Sequence, residues 1–228
     1  QNRDLLTALV SFVDETSAAG FKHVHHKPLL DAKLAPIMPW VASVGAAAAA
    51  GDYDGDGWVD LYVTDSAKGL ANHLYRNLGG NRFIEVAAAA GVADLNDDSG
   101  VSTACVWGDY DNDGSLDLFV VKWGHSQLFR NDGGGTFQDV TARAFHDASG
   151  KPGTPWANSC AAVWFDYDGD RWLDLYVGNY FEPVDLWRLT STRIMHDSFE
   201  TARNGGRNSL YRNNGDGTFT DVAARLGV

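Results

Sequence analysis

Asp52-Tyr53-Asp54-Gly55-Asp56-Gly57-Trp58-Val59-Asp60 returns as Asp109-Tyr110-Asp111-Asn112-Asp113-Gly114-Ser115-Leu116-Asp117. It returns again as Asp166-Tyr167-Asp168-Gly169-Asp170-Arg171-Trp172-Leu173-Asp174, with 57 residues between successive starts. A fixed period of this size marks a repeat architecture. Four carboxylates within nine residues repel one another strongly unless a cation sits among them, so each loop reads as a metal site.

The flanks repeat as well. A small or apolar run precedes each loop (41–50, 101–107, 157–164), and an alternating stretch follows it (59–63, 116–120, 173–177). The period of two marks β-strands. A third segment ends in Leu74-Tyr75-Arg76-Asn77, Leu128-Phe129-Arg130-Asn131 and Leu210-Tyr211-Arg212-Asn213. Glycine-rich turns then lead into Phe83–Val86, Phe137–Val140 and Phe219–Val222. Each repeat is thus expected to be a four-stranded antiparallel meander, and tandem units of this kind make an all-β propeller. The blades fall at 22–92, 93–145 and 146–228, the last with an inserted segment at about 180–207. Residues 1–21, with Phe12-Val13-Asp14-Glu15-Thr16 and then Gly20-Phe21, read as the final strand of a preceding blade. Propellers close with about four to eight blades, so three complete blades predict an incomplete ring.

Composition narrows the function. A net charge of −12 argues against nucleic acid as a partner, because phosphate binding needs a basic surface. The longest apolar run, Val41–Ala50, is too short to span a bilayer, and the chain opens on Gln1, as a processed or excised chain would. Cys105 and Cys160 lie four and six residues before their loops, which places them on the same face of equivalent strands and predicts two buried thiols rather than a disulfide.

The acidic loops are not EF-hands. That motif needs a bidentate Glu at position twelve between two helices, and here position twelve is Val63, Val120 or Val177 in a strand. The expected ligands are Asp52, Asp54, Asp56 and Asp60 with the Trp58 carbonyl. Their counterparts are Asp109, Asp111, Asp113 and Asp117 with Ser115, and Asp166, Asp168, Asp170 and Asp174 with Trp172. Hard oxygen donors favour Ca²⁺. Gly57 and Gly114 are expected in the left-handed backbone region, where Arg171 stands in the third loop, so the third of three sites should be the weakest.

Together, the Gly-Asp-Tyr-Asp-x-Asp-Gly core, the Leu-Tyr-Arg-Asn segment and the Gly215-Asp-Gly-Thr-Phe-Thr-Asp-Val222 ending resemble the FG-GAP/VCBS repeat family. The best match is the bacterial branch similar to cartilage acidic protein and UnbV-type proteins. The resemblance implies a propeller like the integrin α-subunit head, with calcium between the first two strands of a blade, located extracellularly, at the cell surface or in the periplasm.

In a meander, the acidic loops and the glycine turns share one face, and the long connections (21–40, 91–100, 145–156, 180–207) share the other. Repeats carry insertions on the binding face, so a protein partner or neighbouring chain is expected there. The insertion holds Tyr180, Phe181, Trp187, Ile194, Met195 and Phe199, which either fold back as a small helical subdomain or form an exposed contact surface. His23, His25 and His26 form a histidine cluster whose spacing is compatible with a transition-metal site or with plain surface residues. Nucleophile-elbow, phosphate-loop and zinc-protease signatures are missing. The expectation is a noncatalytic calcium-binding interaction or assembly module. The alternatives are a lectin-like propeller that binds a glycan and an accessory domain of a larger secreted enzyme.

Overall fold

The computed structural model describes residues 11–43, 45–146, 149–190 and 204–228. Three four-stranded meanders follow one another. The first is β1 (Ala48–Gly51), β2 (Asp60–Val63), β3 (His73–Asn77) and β4 (Phe83–Glu85). The second is β5 (Gly100–Gly108), β6 (Asp117–His125), β7 (Gln127–Asn131) and β8 (Phe137–Asp139). The third is β9 (Trp156–Phe165), β10 (Asp174–Asn179), β11 (Ser209–Asn213) and β12 (Phe219–Asp221). All pairings are antiparallel, and the described residues form an incomplete all-β propeller. No helix among them is long and apolar enough to cross a membrane.

Burial follows blade position. In β6, Leu118, Phe119, Val120 and Val121 are all fully buried, because the central blade is covered on both faces. One apolar cluster lies between the first two blades around Tyr62, Leu74, Cys105 and Phe129, and another between the last two around Phe119, Leu175, Tyr211 and Phe219. At its far end β6 leaves β7 and pairs through Trp123–His125 with Asn158–Trp156 of β9, so the second and third blades share one sheet. Gly100 and Gly124 face each other across β5 and β6, and a Cβ on Gly100 would lie 2.2 Å from the Trp123 carbonyl oxygen.

The opening segment differs from its sequence reading. Residues 11–15 are irregular chain, and 16–20 form a turn that ends with Gly20 at φ +99°. A strand needs a hydrogen-bonded neighbour, and among the described residues none runs beside 11–15. Phe21, just past the turn, does sit as the end of a blade would. It packs on Tyr75 and Phe83 at ring distances of 4.7 and 4.6 Å, as Phe145 packs on Tyr211 and Phe219 at 4.9 and 5.0 Å. The run before the first loop is also shorter as a strand than its sequence suggests. Met38–Val41 is a short helix with proline at its start, and only Ala48–Gly51 is extended.

The described part of the insertion folds back, but as turns rather than a helix, consistent with Pro183 restricting the backbone before it. Phe181, Leu186 and Leu189 are buried with Leu30, Leu34 and Trp123 at the long-connection end. Asp31 fastens the two segments: its N–H donates to Leu186 O (2.9 Å), and its carboxylate accepts from Leu189 N (3.0 Å). Tyr180 stays half exposed, while Ile194, Met195 and Phe199 lie outside the described residues.

The thiols also correct the expectation. Both cysteines are free, but only Cys105 is buried. The β9–β10 register slips between Gly178 and Asn179, so Cys160 is the extra residue of a β-bulge. Strict alternation would turn it toward the second blade with Ala162 and Trp164; the bulge turns it to the outer face, where Val163 and Phe165 are exposed as well.

Candidate metal centres

Each acidic loop is a network of backbone donors closed on aspartates, and the three networks agree closely. The first aspartate takes two N–H groups: Asp52 from Asp56 and Gly57 (3.1 and 2.9 Å), Asp109 from Asp113 and Gly114 (3.0 and 3.0 Å), Asp166 from Asp170 and Arg171 (3.1 and 3.0 Å). The fifth accepts from the seventh-position N–H, at 2.9 Å in Asp56–Trp58, Asp113–Ser115 and Asp170–Trp172. This curl demands positive φ at position six. Gly57 and Gly114 sit at +86° and +91°, and Arg171 is held at +75°. The left-handed arginine is therefore borne out.

The curl gathers three carboxylates per loop. Oxygens of Asp52, Asp54 and Asp60 lie within 4.8 Å of one another, as do those of Asp109, Asp111 and Asp117 and of Asp166, Asp168 and Asp174. The ninth-position acids are fully buried at the start of β2, β6 and β10. Burial drives Asp60 up to about 6 and Asp117 up to about 7, and it raises Asp174 as well; neighbouring loop carboxylates push the same way. Asp111 Oδ1 is buried without a hydrogen-bond partner. An orphaned carboxylate oxygen among like charges is what a bound cation would satisfy, so the donor set fits a hard divalent ion. The tryptophans and glycine turns close over the loops: Cβ atoms on Gly79 and Gly215 would lie 3.1 Å from the Trp58 and Trp172 rings. Acidic loops and glycine turns therefore share one face, as expected.

Two functional positions were not singled out by the sequence reading. Arg76 lies 2.5 Å from Asp54 and 3.1 Å from Asp56, and Arg212 lies 3.2 Å from Asp168, so the motif arginine offsets loop charge. The motif asparagine does more. Its backbone N–H donates to the buried ninth-position acid, from Asn77 to Asp60 (2.7 Å), Asn131 to Asp117 (2.8 Å) and Asn213 to Asp174 (2.8 Å). Its side chain then reaches into the preceding blade: Asn131 Nδ2 donates to Tyr53 O (2.7 Å) and Asn213 Nδ2 to Tyr110 O (2.8 Å). The signal was present, since Arg-Asn recurs in all three repeats where only the strand pattern needed explaining.

The histidines gather around a different acid. Ligand atoms of His23, His25 and Asp65 lie within 4.8 Å of one another. Trp107 and Trp164, which could have served sugar stacking, pack between blades, and Trp107 Nε1 donates to Ala49 O (3.1 Å).

A model of the FG-GAP-like repeat matches residues 52–120 and again 109–177, together more than half of the chain. Comparison with curated protein sequences gave no match.

Proposed function

Because the chain belongs to the FG-GAP-like repeat family, we propose that it is a noncatalytic, calcium-stabilised propeller module that serves interaction or assembly outside the cytoplasm. The observation that carries this reading is the threefold recurrence of one carboxylate triad with its buried acid held by the backbone N–H of the motif asparagine. Calcium there would act as a fastener. It neutralises the triad, and an ion bound only by the folded state adds RT ln(1 + [L]/Kd), about 2.7 kcal/mol at a hundredfold excess over Kd. Extracellular modules work with Kd values of roughly 10⁻⁴–10⁻³ M, which suits an extracellular, cell-surface or periplasmic setting. Within the family, the Leu-Tyr-Arg-Asn and Gly-Asp-Gly-Thr-Phe segments support the bacterial branch similar to cartilage acidic protein and UnbV-type proteins.

Partners, a protein or a neighbouring chain, would engage the face of the long connections, where the insertion docks and Tyr180 and Trp40 are exposed. The glycan alternative is weakened because the inter-blade tryptophans are engaged in packing. Calcium titration followed by calorimetry tests the core of the reading. Three oxygen-ligated sites that fill in the millimolar range or tighter support it, and the absence of binding overturns it. A glycan array, run with calcium present, separates the protein-partner reading from the lectin one.

A further inference from the structure

At the opposite end of β2 from its acidic loop, the chain after Phe21 lays a row of histidines across the first blade. His25 Nδ1 faces Thr64 O at 3.3 Å, and His26 Nδ1 faces Asp65 Oδ2 at 2.8 Å. His23 packs against His73 of β3, with ring centres 4.7 Å apart and the planes tilted by 50°. We propose that His23, His25 and Asp65 form a binding site for a borderline divalent transition metal of the Zn²⁺ class, chemically distinct from the acidic loops.

Several independent observations carry this. The three candidate ligand atoms already lie within 4.8 Å of one another, so modest side-chain adjustment draws them to the roughly 3.3 Å spacing of a tetrahedral site with metal–ligand distances of about 2.0–2.1 Å. His23 Nε2 is buried without a hydrogen-bond partner, so one imidazole nitrogen of the cluster has its bonding capacity unused. The outer contacts suit ligation: the Thr64 carbonyl takes the Nδ1–H of His25 and leaves its Nε2 lone pair free, and His26 supports the carboxylate of Asp65. Ala67 N holds the other oxygen of that carboxylate at 2.9 Å. The cluster borders an open cavity of about 830 Å³ lined by His23, His26, Asp65, His73 and Glu85, which gives entry and leaves room for a water molecule as fourth ligand.

The repeat itself sets blade one apart. Five residues after the ninth-position acid, the second blade has Lys122, whose ammonium is satisfied by Leu95 O (2.6 Å), Ser99 Oγ (2.8 Å) and Gln127 Oε1 (3.1 Å). The third has Asn179, bonded to Ser159 and to Arg207 O. Among the described residues, only the first blade places a carboxylate there and faces it with imidazoles. Mixed nitrogen and oxygen donors select a borderline metal over Ca²⁺, whose ligands are oxygens.

The test uses the tag-free chain with its acidic loops saturated by millimolar Ca²⁺, titrated with Zn²⁺ against a chromophoric chelator. One equivalent per chain is expected, with affinity at least tenfold weaker in His23→Ala and in His25→Gln. His146→Gln, at an exposed histidine far along the chain from the cluster, should leave it unchanged. Co²⁺ in place of Zn²⁺ should give visible absorption bands of a four-coordinate site that both histidine variants abolish. Should His23→Ala not fold, His25→Gln, altered at a half-buried ring, carries the test alone. Failure to bind one equivalent, or equal affinity in folded histidine variants, overturns the proposal. It stands apart from the calcium reading, since Ca²⁺ binding and Zn²⁺ binding are scored in separate titrations.

Discussion

The side-chain amide of Asn131 donates a 2.7 Å hydrogen bond to the backbone carbonyl of Tyr53, which belongs to the acidic loop of the blade before its own. The same residue's backbone N–H holds Asp117. One asparagine thus ties the acidic loop of its blade to the acidic loop next door. Asn213 repeats the arrangement, whereas Asn77 reaches only Val59 within its own blade. Asn131→Ala and Asn213→Ala leave buried carbonyls unpaired and should each cost about 1–3 kcal/mol. Asn77→Ala, at an exposed bond, should cost clearly less. Chemical denaturation of the three variants in calcium reads the contrast, and equal losses would refute the blade-linking role.

Removing calcium should lower the melting temperature by many degrees, with full recovery on adding Ca²⁺ back after EGTA. For a chain of this size, a loss of about 1 kcal/mol shifts the midpoint by roughly 2–4 °C. A melt indifferent to EGTA would remove calcium from the account of stability.

Without metal, pH should act through Asp117. Burial raises its folded-state pKa to about 7 from an unfolded value near 3.8, so the folded chain holds this proton more tightly than the unfolded one. The contribution is present below about pH 4 and is lost as pH rises toward 7. In chelator, wild type should therefore lose stability across that window relative to Asp117→Asn. Calcium, which binds the ionised carboxylate, should bind more tightly as pH rises through the same range. Parallel pH profiles for wild type and variant in chelator would contradict the assignment.

Arg171→Gly should tighten the third loop. A left-handed conformation costs a non-glycine residue about 1–2 kcal/mol, and Arg171 holds φ +75° where its counterparts are glycine. Part of that gain returns as unfolded-chain entropy, so a net stabilisation of about 1 kcal/mol is expected. Calorimetry should also show tighter Ca²⁺ binding at the third loop than in the wild type; a destabilised variant would mean that the arginine side chain supplies something the backbone cost does not outweigh.

Alkylation separates the two thiols. Cys160 should react in the native protein and Cys105 only after unfolding, because burial pushes the Cys105 thiol up to about 12 and shields it. Intact mass after brief iodoacetamide treatment should show one adduct per chain, removed by Cys160→Ser.

What the sequence made readable was whatever it repeated. The three acidic loops, the strands beside them and the Leu-x-Arg-Asn segments recur in fixed order, and the physics of alternation and charge crowding turns that order into blades and clustered carboxylates. Features that occur once were hidden. The bulge at Cys160 breaks alternation by a single residue, and nothing in the local sequence announces the slip. The docking of Phe181, Leu186 and Leu189 beside Leu30 and Leu34 joins segments some 150 residues apart, beyond the reach of any period. Asp65 lay outside every motif, and only folding brings it to the histidines.

The pairing of β6 with β9 has a consequence for how the molecule opens. A sheet that runs through two blades exposes its amides to solvent only when both come apart, whereas the first blade, joined to the second by side chains, the asparagine bond and loop hydrogen bonds such as Asn72 N–H to Ala93 O rather than by strand pairing, can part from it with its ladder intact. Hydrogen exchange should therefore sort the chain into two cooperative units: a slow one spanning β5–β12 and a faster one at β1–β4.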